Sequence, residues 1–127
     1  MQSHDGALHV LPALPDVWKT GKISGLKARG GFETDIEWEE GLLKTLSIQS
    51  AFGGNLRIRS PYPLQMADGK QLTEANGINP NPFYQMPDVP QPLISPEAKL
   101  NLPDVKPVFE YDLQTEAGKE YMMGMKK

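Results

Sequence analysis

The residues from Phe32 to Glu39 alternate between two kinds of side chain. Positions 32, 34, 36 and 38 carry Phe, Thr, Ile and Trp, and the position after each of them carries a carboxylate. Successive side chains of an extended strand point to opposite faces, so a period of two predicts a β-strand with one buried face. The fold must therefore hold a strand that is apolar on one side and acidic on the other.

A second strand is predicted directly after the first. Glu40-Gly41 has the composition of a tight turn, and residues 42–49 alternate again, with Leu46 and Ile48 on the apolar face. Two alternating segments joined by a two-residue turn are typical of an antiparallel hairpin.

The rest of the chain favours short strands over helices. Further strands are predicted at residues 7–11, 23–29, 56–59, 108–113 and 120–125, and no segment has the period of an amphipathic helix. Gly and Pro together make 24 of 127 residues, about 19% against an average near 12%. The double glycines at 30–31 and 53–54 lack the sequence context of a phosphate-binding loop, so they are predicted to be turns. The sequence predicts an all-β, antiparallel β-sandwich-like domain of six or seven strands.

Residues 61–107, here called the Pro-rich strap, hold ten of the twelve prolines. Proline lacks a backbone N–H and favours polyproline-like geometry, so regular sheet or helix is not expected over most of the strap. Apolar side chains are nevertheless spread along it, which is unlike a polar linker. We expect most of the strap to lie against apolar surface, either on the sandwich or on a partner domain.

Length and composition limit the function. A chain of 127 residues is about one domain long, so we expect a single β-domain over 1–127. The longest apolar run is far short of the roughly 20 residues that cross a bilayer, and the first residues do not form an export signal. A net charge of −3 with scattered basic residues does not favour nucleic acid, and the absence of Cys excludes disulfides and thiol chemistry. We expect no cofactor.

Polar residues offer little catalytic machinery. Carboxylates at Glu33, Asp35, Glu37 and Glu39 would stand about 6.5 to 7 Å apart along one strand face, a spacing that glycosidase pairs use. Four like charges are most easily kept in water, so a solvated face is favoured over a cation site or catalysis. His4 and His9 lack the spacing of a zinc site or triad, and we interpret them as polar surface or junction residues, with contact to a partner's cleft as the alternative. We expect no catalytic and no metal-binding residue.

Aromatic side chains leave a sugar-binding alternative open. Trp38 and Tyr111 alternate with carboxylates and are expected in the core. The freer aromatics are Trp18, Tyr62 and Tyr84, and these could stack on the apolar faces of sugar rings.

A long ordered segment resembles the C-terminal part of glycoside hydrolase family 95, which contains α-L-fucosidases. The resemblance is carried by residues 2–16 (QSHDGALHVLPALPD), Trp18, residues 25–33 (GLKARGGFE) and residues 35–38 (DIEW). It is specific across residues 2–59, with a looser similarity at residues 109–112 and 117–118.

The resemblance implies a piece of a larger enzyme. Family members have an N-terminal β-domain, a helical (α/α)6 barrel with the acid and base groups, and a C-terminal β-domain. The chain resembles only the last of these, beginning just after the final barrel helix, and offers no position for the family's general-acid Glu or its water-activating Asp and Asn. The parent reaction would be hydrolysis of terminal α-linked fucose with inversion.

These observations lead to one hypothesis and one alternative. The first is a non-catalytic accessory domain that supports the barrel through an interface made by Leu8, Val10, Leu11 and Leu14. The alternative is a carbohydrate-binding module that contacts fucosylated glycans through Trp18, Tyr62 or Tyr84. The resemblance also implies a periplasmic or extracellular location, although the chain itself carries no signal.

Overall fold

A computed structural model describes all 127 residues and contains ten strands and one short 3-10 helix. In chain order the strands are β1 (Gln2–His4), β2 (Ala7–His9), β3 (Gly21–Ala28), β4 (Phe32–Glu39), β5 (Leu42–Ser50), β6 (Gly54–Ser60), β7 (Leu64–Met66), β8 (Thr73–Glu74), β9 (Phe109–Thr115) and β10 (Glu120–Met125). The 3-10 helix spans Pro82–Tyr84. No helix has the length and apolar composition needed to cross a bilayer.

The strands form two five-stranded sheets. One sheet has the order β1-β2-β6-β9-β8, and the other has the order β3-β4-β5-β10-β7. Every pairing is antiparallel except that of β2 with β6, which is parallel. The prediction of an all-β, sandwich-like fold is confirmed. All seven predicted strands are present, and β1, β7 and β8 are additional.

The apolar face of the first hairpin builds the core. Phe32, Thr34, Ile36 and Trp38 of β4 are buried, as are Leu46 and Ile48 of β5. Leu56, Ile58 and Tyr111, from the other sheet, belong to the same cluster of buried residues. The turn between β4 and β5 has positive φ at both Glu40 (51°) and Gly41 (75°), the backbone of a type I′ turn that matches the twist of paired strands.

A β-bulge explains which side chains of β5 face outward. The register of β4 and β5 shifts between Glu37 and Trp38, and Leu43 then pairs with Trp38. Because the bulge offsets the alternation, Leu43 is buried and Lys44 is exposed. Without it, the alternation set by Leu46 and Ile48 would turn Lys44 toward the core.

The last strand changes sheet. β9 pairs with β6, whereas β10 pairs with β5 and β7 in the opposite sheet. The turn between them is fixed by hydrogen bonds from the Gly118 N–H to the Ser50 carbonyl (2.7 Å) and from the Ser50 N–H to the Lys119 carbonyl (2.9 Å). β9 lies between β6 and β8, and β10 lies between β5 and β7. The sandwich therefore includes the chain up to Met125.

The Pro-rich strap divides into two parts. Residues 61–84 contain β7, β8 and the 3-10 helix, and they bury Leu64, Leu72 and Tyr84. Residues 85–107, here called the arm, contain no strand or helix, and every one of them is exposed. The sandwich covers residues 61–84 but no part of the arm, so for the arm only the partner-domain form of the expectation stays as a prediction.

Replacing Leu46 by Ala should lower the free energy of unfolding by about 2 to 5 kcal/mol, because it removes a fully buried side chain and leaves a cavity. Leu42→Ala on the same strand is the matched control, since Leu42 is exposed, and should change that energy by no more than about 0.5 kcal/mol. Urea denaturation followed by circular dichroism measures both. Equal losses in the two variants would contradict the assigned inner face of β5.

Candidate functional site

A cleft lined mostly by hydrophobic residues lies beside the edge strand β1. It has a volume of about 310 Å³, and nine of its twelve lining residues are hydrophobic. The lining comes from the chain start, the loop after β2 and strands β3 and β4, namely Met1, Gln2, Leu11, Pro12, Ala13, Leu14, Pro15, Trp18, Ile23, Leu26, Ile36 and Trp38. Ile36 and Trp38 also belong to the core, so part of the wall of the cleft is the core of the sandwich itself.

Hydrogen bonds hold the loop that forms one wall of this cleft. The Trp18 N–H donates to the Pro15 carbonyl (2.9 Å), and the Trp38 indole N–H donates to the Trp18 carbonyl (2.8 Å). The Gly41 N–H donates to the Lys19 carbonyl (2.8 Å), which ties the same loop to the β4–β5 turn. Trp18 is therefore presented on a fixed backbone while its side chain stays 59% exposed.

Only half of the expected interface residues reach this surface. Leu11 and Leu14 are partly buried and line the cleft. Leu8 and Val10 are 0% and 1% exposed, because β2 pairs with β6 and turns them into this domain's own core. Leu8 and Val10 are therefore core residues of this domain, which corrects their expected place in the interface with the barrel.

The three candidate sugar-binding aromatics occupy different environments. Trp18 lines the cleft, whereas Tyr62 and Tyr84 do not. Tyr62 is half-buried and its hydroxyl donates to the Gly41 carbonyl (3.2 Å). Tyr84 is only 3% exposed, because the 3-10 helix packs it into the core, and burial raises the pKa of its hydroxyl. Tyr84 is therefore not a free aromatic, which corrects the sequence-based expectation.

The acidic face of β4 is in solvent and carries compensating charges. Glu33 pairs with Lys27, and Lys44 lies 3.0 Å from Glu37 and 3.6 Å from Glu39. The hydrogen bond with Glu37 raises the pKa of Lys44. The remaining carboxylate, Asp35, accepts the Gly25 N–H at 2.8 Å in the bulge of β3. These groups behave as the predicted solvated face, and no cluster of three or more potential metal ligands is present.

The two histidines lie near the edge of the other sheet. His4 is exposed, and His9 is half-buried on β2 opposite Arg59. Burial lowers the pKa of His9, and the positive charge of Arg59 lowers it further. These positions agree with the interpretation of His4 and His9 as polar surface or junction residues.

An ion pair on the outer face of the first sheet was not predicted as a functional feature. Arg57 on β6 and Asp112 on β9 are register partners, and two hydrogen bonds of 2.8 Å join the guanidinium to the carboxylate. The same guanidinium donates to the carbonyls of Gly77 (2.7 Å) and Asn76 (3.2 Å). Arg57 alternates with the buried Leu56 and Ile58 and so points away from the core, yet the segment above it leaves the residue only 6% exposed.

Three asparagines extend this ion pair into a network. The Asn55 amide donates to both Asp112 and Asn79, each at 3.0 Å. The Asn79 amide donates to the Gly6 carbonyl (2.8 Å), and the Asn81 amide donates to the Asn55 carbonyl (3.0 Å). We call Asn55, Arg57, Asn79, Asn81 and Asp112 the polar clamp. It fixes residues 76–84 on the sheet.

Comparison with known proteins identifies the family. The sequence model of the C-terminal domain of glycoside hydrolase family 95 matches residues 2–84, which are 83 of the 127 residues. The chain belongs to this family. The Arabidopsis thaliana protein named alpha-L-fucosidase 2 is 45% identical over 51 residues. This alignment covers 39% of the chain and 6% of that relative, so the chain spans a small part of the relative's length.

The family 95 domain in this chain extends beyond the matched residues. The match ends at Tyr84, where the buried part of the strap ends, but β9 and β10 come later in the sequence. β9 pairs with β6 along its full length, and β10 pairs with the second half of β5. Residues 109–125 are therefore part of the folded domain, and the arm is an excursion within it.

The polar clamp should make stability depend on acid pH. Hydrogen bonds from Arg57 hold the pKa of Asp112 below its ordinary value of 3.8. A carboxyl group whose pKa is lower in the folded state stabilises the fold at pH values above its unfolded-state pKa. This contribution is lost as the pH falls through the folded-state pKa. Asp112→Asn should cost about 2 to 3 kcal/mol at neutral pH, because Arg57 stays buried without its counter-charge, and should flatten the acid limb of the stability curve.

Asp104→Asn is the control for this experiment, because Asp104 lies in the arm and is exposed. Urea titrations between pH 2.5 and 7 measure all three proteins. An Asp112→Asn variant with the parental acid limb would contradict the role given to the pair.

Truncation tests the extent of the domain. A chain ending at Tyr84 should show no cooperative unfolding, because β5 and β6 then lose their partners β10 and β9. A variant in which a Gly-Ser linker of equal length replaces residues 86–106 should keep the parental melting temperature, because those side chains are exposed. Differential scanning calorimetry compares them. A folded 1–84 chain would contradict the assignment of β9 and β10 to the domain.

Proposed function

We propose that this chain is the non-catalytic C-terminal accessory domain of an α-L-fucosidase-like enzyme. In this proposal it supports a preceding helical-barrel domain, which hydrolyses terminal α-linked fucose with inversion. The observation that carries the proposal is the apolar cleft, where Leu11, Leu14 and Trp18 form an uncovered surface on a domain of family 95. From the family resemblance alone we also propose a periplasmic or extracellular location.

The cleft has the chemistry of a domain interface. Its lining is mostly hydrophobic, and its wall is fixed by backbone hydrogen bonds, so a partner would meet a surface that is already ordered. Covering one large apolar side chain contributes about 1.5 to 3 kcal/mol. Leu14 and Trp18 lie on the same loop, and an apolar side chain of the barrel inserted between them would join the two domains.

The carboxylates of the chain support the non-catalytic part of the proposal. An inverting glycosidase needs two carboxyl groups about 6.5 to 9.5 Å apart across the sugar, one of them with a raised pKa. The β4 carboxylates share one strand face and lie in solvent, and three of the four pair with Lys27 or Lys44. Asp112 is committed to Arg57, and its pKa is lowered, which is the wrong direction for a general acid.

The carbohydrate-binding alternative is not favoured. A sugar platform needs several exposed aromatic faces with polar groups near them. Tyr84 is buried and the Tyr62 hydroxyl is already bonded, which leaves Trp18. Trp18 stands in an apolar cleft that suits a hydrophobic side chain better than a polyhydroxylated ring.

Two measurements test the proposal. The 127-residue chain should not hydrolyse an aryl α-L-fucoside above the buffer rate, because it lacks a flanking acid and base pair. In the larger enzyme, Leu14→Asp should lower the melting temperature by several degrees, since it places a charge in the covered cleft. Val17→Asp is the control, because Val17 is 83% exposed and does not line the cleft.

Turnover of the fucoside by the isolated chain would overturn the non-catalytic assignment. Identical melting temperatures for the Leu14→Asp and Val17→Asp enzymes would overturn the docking role of the cleft. The isolated Leu14→Asp chain is measured in parallel, so that any loss within the domain itself can be subtracted.

A further inference from the structure

The arm, residues 85–107, combines exposure with an apolar composition. It carries seven large apolar side chains that are all exposed, namely Met86, Val89, Leu93, Ile94, Leu100, Leu102 and Val105. Its five charged residues nearly cancel, with three acidic and two basic side chains. Singly exposed apolar side chains are ordinary, but seven of them within 23 residues indicate a segment that binds apolar surface on a partner.

The prolines of the arm reduce what binding would cost. Six of its 23 residues are Pro, at positions 87, 90, 92, 96, 103 and 107. Proline restricts the free chain to few conformations and favours polyproline geometry, so less conformational entropy is lost when the arm is ordered on a surface. Extended Pro-rich segments of this kind bind apolar grooves through their side chains.

The structure fixes both ends of the arm. At its start, Asn81 caps the 3-10 helix by accepting the Phe83 N–H (3.0 Å), and Tyr84 is buried. At its end, Phe109 pairs with Ser60 in the β6–β9 ladder. The arm is therefore a closed excursion from the sandwich and not a tail.

The arm begins next to the cleft. Asn81, three residues before Tyr84, lies against Gly30, and the neighbouring Arg29 N–H donates to the Ser3 hydroxyl of β1 (3.0 Å). Met1 and Gln2, the two residues before Ser3, line the cleft. The apolar surface of the cleft and the root of the arm thus adjoin through β1, so a domain docked on the cleft would also meet the first residues of the arm.

We infer that the arm binds the catalytic domain of the larger enzyme and extends the interface that begins at the cleft. This inference rests on the proposed function, because it names the same partner. The alignment with the Arabidopsis relative covers 6% of that protein, so most of such an enzyme lies outside the domain and can provide the covering surface. A single polypeptide also keeps the two surfaces at high effective concentration, which a second copy of this chain would not.

Methionine oxidation tests the inference with an internal control. Met86 at the start of the arm is 52% exposed, and Met122 on β10 is 47% exposed. In the isolated chain, hydrogen peroxide should oxidise both at similar rates, because oxidation follows exposure. In the larger enzyme, Met86 should be oxidised about tenfold more slowly than in the isolated chain. Peptide mass spectrometry measures both rates, and Met122 reports general access of the oxidant.

A pair of substitutions tests the contact independently. Leu93→Asp with Leu102→Asp should restore rapid oxidation of Met86 in the larger enzyme and lower its melting temperature. Ile78→Asp is the matched control, since Ile78 is 90% exposed and lies in the strap but outside the arm. None of these substitutions should alter the melting of the isolated chain, because the three side chains are exposed.

The outcomes separate this inference from the proposed function. Iodide quenching of Trp18 fluorescence, compared between the two proteins, reports whether the cleft is covered. A shielded Trp18 with Met86 oxidised equally fast in both proteins overturns the arm contact and leaves the cleft interface standing. Full access to both residues in the larger enzyme overturns both proposals. Protection of Met86 in the isolated chain that grows with concentration assigns the arm to a second copy and also overturns the inference.

Discussion

The ion pair between Arg57 and Asp112 is the interaction on which the arrangement of the Pro-rich strap depends. A chain rich in proline keeps its carbonyl groups but loses many N–H groups, so its carbonyls need donors from elsewhere. Arg57 has five N–H donors and uses four of them, two on one carboxylate and two on strap carbonyls. One side chain thus joins two strands of the sheet to a segment that could not form a strand of its own.

The same interaction sets where the strap stops belonging to the sandwich. Asn79 and Asn81 continue the network from Asn55, and the last buried side chain, Tyr84, follows directly after them. Beyond Tyr84 the hydrogen bonds of the strap are local and none of them reaches the sheet, and the chain stays exposed until β9 begins. A buried charge is costly unless it is paired, so the clamp holds the strap in one position and contributes specificity of placement more than net stability.

The sequence predicts this fold where the structural signal is local. Strand β4 is predicted with its observed bounds, because period-two alternation is a property of neighbouring residues. Strands β1, β7 and β8 have two or three residues and no readable period, so they exist only through pairing with β2, β10 and β9. The bulge that exposes Lys44 likewise depends on the register with β4.

The candidate site was less predictable, because burial is decided by tertiary contacts. The composition of the Leu8 to Leu14 region indicates an apolar surface, but only the pairing of β2 with β6 separates core residues from cleft residues. Tyr84 has the sequence context of an exposed loop residue, and its burial depends on Asn79 and Asn81, five and three positions earlier. Alternation with Leu56 and Ile58 is enough to place Arg57 on the outer face, but none of the neighbouring residues in the sequence indicates the segment that covers it.

Because both ends of the arm are fixed in the sandwich, the arm can change in length and sequence while the core stays the same. Because β9 and β10 follow the arm, the sandwich must close a loop of 23 exposed residues in order to fold. The entropy of loop closure grows slowly with length, by about 0.6 kcal/mol for each doubling, so a longer or shorter arm changes the stability of the sandwich little. The clamp and the β6–β9 ladder fix the two ends, and the residues between them are free of packing constraints within the domain. An arm of this kind can adapt to a partner surface without altering the core that presents it.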